Sequence, residues 1–293
     1  MTPPRPRPGG KYTAALAVLA VLFLTGCSTT PAPALTAARP VAPSAAPAVT
    51  PAPAIEPPRL PTGAEEAAPP RATYDAVIPG LIPIPGGQNI FPVAYRTDHD
   101  ILLYGSPEAR LPAAIMPATD FLGNPTTIVK IAHTRPGWTQ ILTPARFSLP
   151  SQSAGEDAST AAWIQNGQLA FDHALPYRIV IRISAQTLTI SGPDQDAAYQ
   201  VGVGAAATAT PAGSTYLAAR FTDPAQSALP INLLALHSTS ADDPYLPGGN
   251  GVVGIHFERT ATGAVSHGCI RLSRGGIDAV NGLPVGTPVE ITP

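Results

Sequence analysis

The sequence predicts a mainly β protein, in which a β-sandwich or barrel domain with one short helix follows a smaller all-β module. Leu, Ile, Val and aromatic residues occur in short runs of strand length that Gly and Pro interrupt. Apolar and polar residues alternate through the first half of 177–183, as in a half-buried strand. The one segment that favours a helix, 273–281, is short and contains Gly275 and Gly276, each of which costs a helix interior up to about 1 kcal/mol relative to Ala.

The predicted strands form two groups along the chain. Residues 88–170 predict the small β module, whose apolar runs are 91–95, 101–104, 127–131, 137–142 and 162–164. We interpret Trp138 and Trp163 as core residues of this module in preference to ligand-stacking residues. Residues 176–293 predict the larger domain, whose apolar runs are 177–183, 187–190, 199–204, 214–221, 231–236, 252–256 and 288–292.

The first 26 residues have the pattern of an export signal. Basic residues within the first eleven positions precede the apolar run 14–24, which is too short to span a bilayer, since a spanning helix needs about 20 apolar residues. The run ends in Leu-Thr-Gly-Cys at 24–27, which resembles the bacterial lipoprotein signal and implies a lipid on Cys27. We therefore expect a membrane-anchored lipoprotein of the cell envelope; the alternative is an ordinary secretory peptide with a chance Cys.

Residues 27–72 are expected to be a disordered tether. The stretch 31–70 is rich in Pro and Ala and has almost no large apolar residues, so it has too little apolar surface for a core. In a polyproline conformation these residues would reach roughly 120 Å, at about 3.1 Å each. A spacer and a neutral disordered segment would have the same composition.

Charge and cysteine content restrict the function further. The net charge is −2 and no basic cluster follows the signal, so nucleic-acid binding has no electrostatic support. The chain has two cysteines, Cys27 and Cys269. A lipid on the first would leave the second without a disulfide partner in an exported protein, which makes Cys269 a candidate nucleophile.

The segment Ser-His-Gly-Cys-Ile-Arg-Leu at 266–272 carries the chemistry. A thiol attacks as thiolate, and a nearby imidazole can take its proton. Gly268 allows close backbone approach, so the amides of Gly268 and Cys269 could face a developing oxyanion. If 269–271 is extended, Arg271 shares a face with the thiol and can bind a substrate carboxylate through two hydrogen bonds.

These residues resemble the signature of the L,D-transpeptidase (YkuD-like) catalytic domain. The resemblance covers roughly 176–293. It includes Ala-Thr-Pro-Ala-Gly-Ser-Thr-Tyr at 209–216, which is similar to the family's Thr-Pro-Gly hairpin before an aromatic strand residue, Gly-Ile-His at 254–256 and Gly-Thr-Pro-Val at 286–289. The module at 88–170 is similar to the SH3-like domain that precedes this catalytic domain in some members. The resemblance thus implies an L,D-transpeptidase-like β domain behind an SH3-like module.

The resemblance also implies roles for individual residues. Cys269 falls on the nucleophile and His256 on the general base. The conserved surround of the nucleophile falls on Ser266, His267, Gly268 and Arg271, with substrate-binding or oxyanion roles. Phe257 and Glu258 depart from the family pattern after the base, and the interval to Ser266 is a few residues short, so the group that orients His256 stays open; a backbone carbonyl is one option.

The four remaining histidines fit these roles less well. His237 is the alternative base, because it too is polar at a predicted strand end; we favour His256 for its Gly-Ile context and shorter loop. His99, His133 and His173 are interpreted as surface or partly buried side chains. No His/Cys/Asp set has metal-ligand spacing, so neither a metal nor another cofactor is expected.

The function implied by the resemblance is a peptidoglycan L,D-transpeptidase that forms 3–3 cross-links through a cysteine acyl-enzyme on tetrapeptide stems. Its partners would be peptidoglycan stem peptides and, through the lipid, the membrane. Carbapenems would acylate the same thiol. The alternatives are an L,D-carboxypeptidase at the same site and a catalytically decayed wall-binding lipoprotein. A papain-like endopeptidase is disfavoured, because such enzymes place Cys before His in the chain.

Overall fold

The computed structural model describes residues 68–153, 157–240, 242 and 251–293. The predicted export signal, Cys27 and nearly all of the predicted tether lie outside these residues. None of the helical segments in the described ranges combines the length and apolarity that crossing a bilayer requires.

The first module is built on a six-stranded antiparallel sheet with the order β1-β7-β6-β5-β2-β8. A separate antiparallel pair, β3-β4, lies beside it. The strands are β1 (Ile82–Ile84), β2 (Ile90–Arg96), β3 (Ile101–Leu103), β4 (Ala114–Met116), β5 (Ile128–Arg135), β6 (Trp138–Thr143), β7 (Ser159–Gln165) and β8 (Ala170–Ala174). All five predicted runs form strands, whereas β1, β4 and β8 were missed. The SH3-like assignment of this module stays a prediction.

The observed pairing extends beyond the predicted module boundaries, 88 and 170, and the predicted tether end at 72 lies inside a paired segment. The backbone N–H of Ala72 donates to the Ile115 carbonyl, and the N–H of Ile115 donates to the Pro70 carbonyl. Ala72 is fully buried. Residues 70–72 therefore pair with the first module, although the Pro- and Ala-rich composition predicted them as part of the tether.

Both Trp residues of the module are partly buried. The ring of Trp138 meets that of Tyr104 edge to face, with centroids 5.3 Å apart. Trp163 lies in β7, where its backbone exchanges hydrogen bonds with that of Tyr104. The module core beneath them is apolar and includes the fully buried Leu103, Ile128 and Ile141.

In the part of the second domain that the structure describes, the strands form a closed β-barrel with one α-helix. Its nine strands follow the order β10-β9-β17-β12-β13-β14-β16-β11-β15, and an additional β10–β11 pairing closes the ring and leaves β15 attached to β11. The strands are β9 (Arg178–Arg182), β10 (Thr187–Ser191), β11 (Asp196–Gly204), β12 (Gly213–Phe221), β13 (Ile231–His237), β14 (Val252–Phe257), β15 (Gly263–Ser266), β16 (Ile270–Leu272) and β17 (Pro288–Thr292). The mainly β fold class with one short helix is confirmed; β15 was missed.

The helix α1 (Arg274–Asn281) follows β16 directly and packs on it. Ile277 and Val280 are fully buried in the barrel core. Gly276 lies so close to Leu272 that an added Cβ would come within 2.7 Å of its Cδ2 atom, whereas Gly275 faces open space. The glycine that weakens the helix at 276 therefore permits its close contact with β16.

The two modules share buried surface. One apolar cluster joins Val129 and Leu142 of the first module to Tyr216 and Ala235 of the barrel. The carboxylate of Glu290 accepts hydrogen bonds from the Gly87 N–H at 2.8 Å and the Ser214 hydroxyl at 2.5 Å. The first module thus packs on β12, β13 and β17.

Candidate active site

The parallel strands β14 and β16 bring His256 and Arg271 side by side. These residues are direct partners in the register, one step after the pair Ile255 and Ile270. Both Ile side chains are fully buried in the barrel core. Because strand side chains alternate between faces, His256 and Arg271 lie on the face opposite that core, where both are half-buried.

Cys269 immediately precedes β16 and is half-buried. It lies two residues before Arg271, just before the start of the strand that pairs with the strand of His256. Adjacent strands lie about 4.8 Å apart. The structure therefore places the predicted imidazole and guanidinium side by side, with the predicted nucleophile two residues before Arg271 on the same chain segment.

The imidazole of His256 is held by a backbone carbonyl. Its Nδ1 lies 3.1 Å from the carbonyl oxygen of Phe257. A carbonyl oxygen can only accept, so this bond places the proton on Nδ1 and leaves Nε2 as an acceptor. The orienting group that the sequence left open is thus the carbonyl of the very residue that departs from the family pattern, and a carbonyl does not depend on side-chain type.

The charge state of His256 follows from its surroundings. Burial lowers the pKa of His256 and the nearby positive charge of Arg271 lowers it further, while the Phe257 carbonyl and the charge of Glu258 act in the opposite direction. The net shift is downward, so the imidazole is predominantly neutral at neutral pH. A neutral imidazole is the form that accepts a proton.

His237, the alternative base, is placed differently. It is 1% exposed, and its Nε2 lies 3.1 Å from the carbonyl oxygen of Tyr74 in the first module. Burial lowers the pKa of His237 to about 4. The strand that carries it, β13, is separated from β16 by β14. These contacts favour a structural role at the contact between the modules.

The turn before Cys269 is fixed by Ser266. The Ser266 hydroxyl donates to the Cys269 carbonyl at 2.5 Å and accepts from the Gly268 N–H at 3.2 Å. Gly268 has a φ of +116°, which residues with a Cβ rarely adopt. The predicted oxyanion role of the Gly268 amide must therefore compete with Ser266. The backbone amide of Cys269, the predicted nucleophile, is the other candidate donor.

Two threonines of the β11–β12 connection also support this turn. Thr208 donates through its hydroxyl to the Ser266 carbonyl at 3.2 Å, and the Ala205 N–H donates to the same oxygen at 2.9 Å. Thr210 donates to the Gly268 carbonyl at 2.8 Å. The sequence marked Thr210 only as part of a motif, and its contact with a residue 58 positions away gave no local signal.

The other predicted residues lie as follows. His267 is exposed beside the thiol. His99 is exposed next to Asp98, whose hydrogen bond raises the pKa of His99. His133 contacts Gln140 and His173 contacts Asp172 and the Val285 carbonyl; all three match the surface or partly buried interpretation. Within the described ranges, no three His, Cys, Asp or Glu side chains are grouped to hold a metal ion.

Comparison with known proteins supports the resemblance for the second domain. Residues 176–291 match the YkuD family model, the L,D-transpeptidase catalytic domain. A comparison with curated proteins gave no match.

Several solved structures are similar to parts of the chain. An L,D-transpeptidase from Mycobacterium smegmatis is 16% identical over 57% of this chain and 91% of its own, with a TM-score of 0.32. L,D-transpeptidase 1 of Mycobacterium tuberculosis is 19% identical over 45% of this chain and 77% of its own, with a TM-score of 0.30. An L,D-transpeptidase from Stackebrandtia nassauensis is 16% identical, with a TM-score of 0.29; the match covers 40% of this chain and 56% of that one.

Proposed function

We propose that this chain, whose second domain matches the L,D-transpeptidase catalytic family, is a peptidoglycan L,D-transpeptidase that forms 3–3 cross-links through an acyl-enzyme on Cys269. The observation that supports the proposal most strongly is the hydrogen bond that sets which nitrogen of the His256 imidazole carries the proton. Its Nδ1–H donates to the Phe257 carbonyl, and the neighbouring parallel strand β16 begins one residue after Cys269. An imidazole held in this way presents an unprotonated Nε2, the atom that takes the proton of a nucleophile.

The proposed first step is acylation. His256 Nε2 takes the thiol proton, and the thiolate of Cys269 attacks the carbonyl carbon of the third stem residue, a diamino acid. The bond from that carbon to the D-Ala nitrogen breaks, and the nitrogen takes the proton from the imidazolium. D-Ala leaves, and a thioester remains on Cys269.

The second step transfers the acyl group. The side-chain amine of another stem attacks the thioester carbon, gives a proton to His256 and displaces the thiolate, which is reprotonated. The product is the 3–3 cross-link. If water attacks instead, the same site is an L,D-carboxypeptidase.

Arg271 is proposed to bind the carboxylate of the stem peptide. Its Nε is buried and has no hydrogen-bond partner among the described residues, while the side chain as a whole is partly exposed on the face that carries His256. Arg and a carboxylate form paired hydrogen bonds that fix orientation as well as position. The register beside His256 would then align the substrate with the base.

The location of the protein is also a proposal. The Leu-Thr-Gly-Cys segment supports lipid attachment at Cys27, and the Pro- and Ala-rich stretch supports a spacer between membrane and wall. Such a placement would present the barrel to the stem peptides from a membrane anchor.

The purified full-length chain incubated with tetrapeptide stems tests the activity, with Cys269→Ala as control. Mass spectrometry should find released D-Ala and a cross-linked dimer in the parent only. Tripeptide without dimer would identify a carboxypeptidase. Neither product would favour a wall-binding protein without catalysis and contradict the proposal.

A further inference from the structure

The hydroxyl of Thr210 connects two backbone groups across the base of the active-site turn. It accepts a hydrogen bond from the Gly204 N–H at 2.8 Å and donates to the Gly268 carbonyl at 2.8 Å. Both directions are fixed, because a backbone N–H can only donate and a carbonyl oxygen can only accept. Thr210 is 4% exposed, so water has little access to replace either bond.

The segment that carries Thr210 has little freedom to shift. A Cβ added at Gly204 would come within 2.2 Å of the Thr208 carbonyl oxygen and 2.4 Å of the Thr210 nitrogen. The backbones of β11 and of the connection after it are therefore in close contact. Thr210 thus holds the Gly268 carbonyl from a rigid support.

The consequence concerns the peptide unit between Gly268 and Cys269. A trans peptide is planar, with its C=O and N–H directed to opposite sides. A hydrogen bond that fixes the Gly268 carbonyl toward Thr210 therefore fixes the Cys269 N–H in the opposite direction. Gly268 has no Cβ and adopts a φ of +116°, so side-chain sterics do not restrain this peptide unit. Its orientation therefore depends on an anchor such as the hydrogen bond to Thr210.

We infer that Thr210 is a positioning residue, which orients the Cys269 N–H as an oxyanion donor by anchoring the Gly268 carbonyl. This inference rests on the proposed acyl-transfer function. When the thiolate adds to a carbonyl carbon, the carbonyl oxygen gains negative charge beside the nucleophile's own amide. An amide already aimed at that oxygen stabilises the transition state without reorganisation.

Two reactions of the same thiol separate this role from a general structural one. In acylation by a carbapenem, the thiolate adds to the lactam carbonyl, the ring C–N bond opens and the nitrogen takes a proton; an oxyanion forms on the way. In alkylation by iodoacetamide, the thiolate displaces iodide from carbon and no oxyanion forms. Only acylation should therefore respond to the orientation of the Cys269 amide.

The test compares full-length parent, Thr210→Val, Thr210→Ala and Thr210→Ser. Thr210→Val should slow acylation at least about tenfold, toward the 10²–10³ seen when an oxyanion donor is lost. Its alkylation rate at Cys269, followed by peptide mass spectrometry, should stay within about twofold of the parent. Thr210→Ser keeps the hydroxyl and should restore acylation. Thr210→Ala removes the hydroxyl with less steric demand and serves if the Val variant does not fold.

The matched control is Thr287→Val. Thr287 is fully buried, and its hydroxyl donates to the Pro284 carbonyl at 2.7 Å, just before β17, a strand that does not pair with β16. This variant should acylate at the parental rate. If both Thr210→Val and Thr210→Ala acylate at the parental rate, or if they lose alkylation as much as acylation, the inference about Thr210 is wrong. The proposed function would then still stand. No acylation in the parent would overturn the proposed function, and with it this role.

Discussion

His237 should make the folded state sensitive to mild acid without taking part in catalysis. Its pKa is lowered to about 4 by burial, against 6.5 for an ordinary histidine. Well above pH 6.5 the side chain is neutral in both folded and unfolded chains and contributes little pH dependence. As the pH falls from 6.5 toward 4, the unfolded chain binds a proton that the folded chain does not, so stability falls; below about 4 the loss is complete.

The size of this effect follows from the shift. One pKa unit corresponds to about 1.4 kcal/mol, so a shift of about 2.5 units gives a full loss of roughly 3 kcal/mol, of which about 2 kcal/mol is reached at pH 5. His237→Gln removes the titration, and its amide can still donate to the Tyr74 carbonyl that His237 contacts.

Urea unfolding of parent and His237→Gln at pH 7.5 and pH 5, followed by circular dichroism, measures the effect. The parent should lose about 2 kcal/mol more than the variant between the two pH values. Other titrating groups, including His256, are present in both proteins and cancel in the difference. Equal losses would refute a buried neutral His237. Slowed carbapenem acylation in the variant at pH 7.5 would refute its structural assignment.

Three further predictions concern the anchor, the tether and the helix. Cys27→Ser should release the protein from membranes, and retention after mild extraction would contradict lipid attachment. Deletion of 31–67, which stops short of the paired Pro70, should leave the melting temperature nearly unchanged; a large fall would mean that the stretch packs on the folded domains. Gly275→Ala should stabilise the protein by up to about 1 kcal/mol in urea unfolding, because it faces open space. Gly276→Ala should destabilise it by about 1–3 kcal/mol through its contact with buried Leu272, and a gain there would contradict the packing of α1 on β16.

The strands with long apolar runs could be predicted from the sequence because each carries its own pattern. The short strands β1, β4, β8 and β15 could not. β15 consists of Gly-Ala-Val-Ser, and β4 has only three residues. Their strand state depends on hydrogen bonds to partners distant in the chain, such as the parallel pairing of β15 with β11. Local composition does not contain that information.

The candidate site also divides into residues that a local sequence pattern predicts and contacts that depend on the folded barrel. Cys269, His256 and Arg271 could be predicted because they occur in residue patterns, and the register of β14 and β16 places His256 beside Arg271. The sequence could not identify the Phe257 carbonyl as the group that orients His256, because every residue type carries a backbone carbonyl. The support from Thr210 was missed because it requires the close approach of β11 and the turn at 266–269, which only the folded barrel establishes.

Intact-mass spectrometry of the chain exposed to a carbapenem tests the central claim most directly, with Cys269→Ala and His256→Ala measured beside the parent. The account predicts a single covalent adduct on the parent and none on Cys269→Ala. His256→Ala should keep the parental melting temperature but form the adduct roughly 10²–10⁴ times more slowly, the usual scale for loss of a general base. An adduct on Cys269→Ala, or a parental rate in His256→Ala, would contradict the assignment of nucleophile and base.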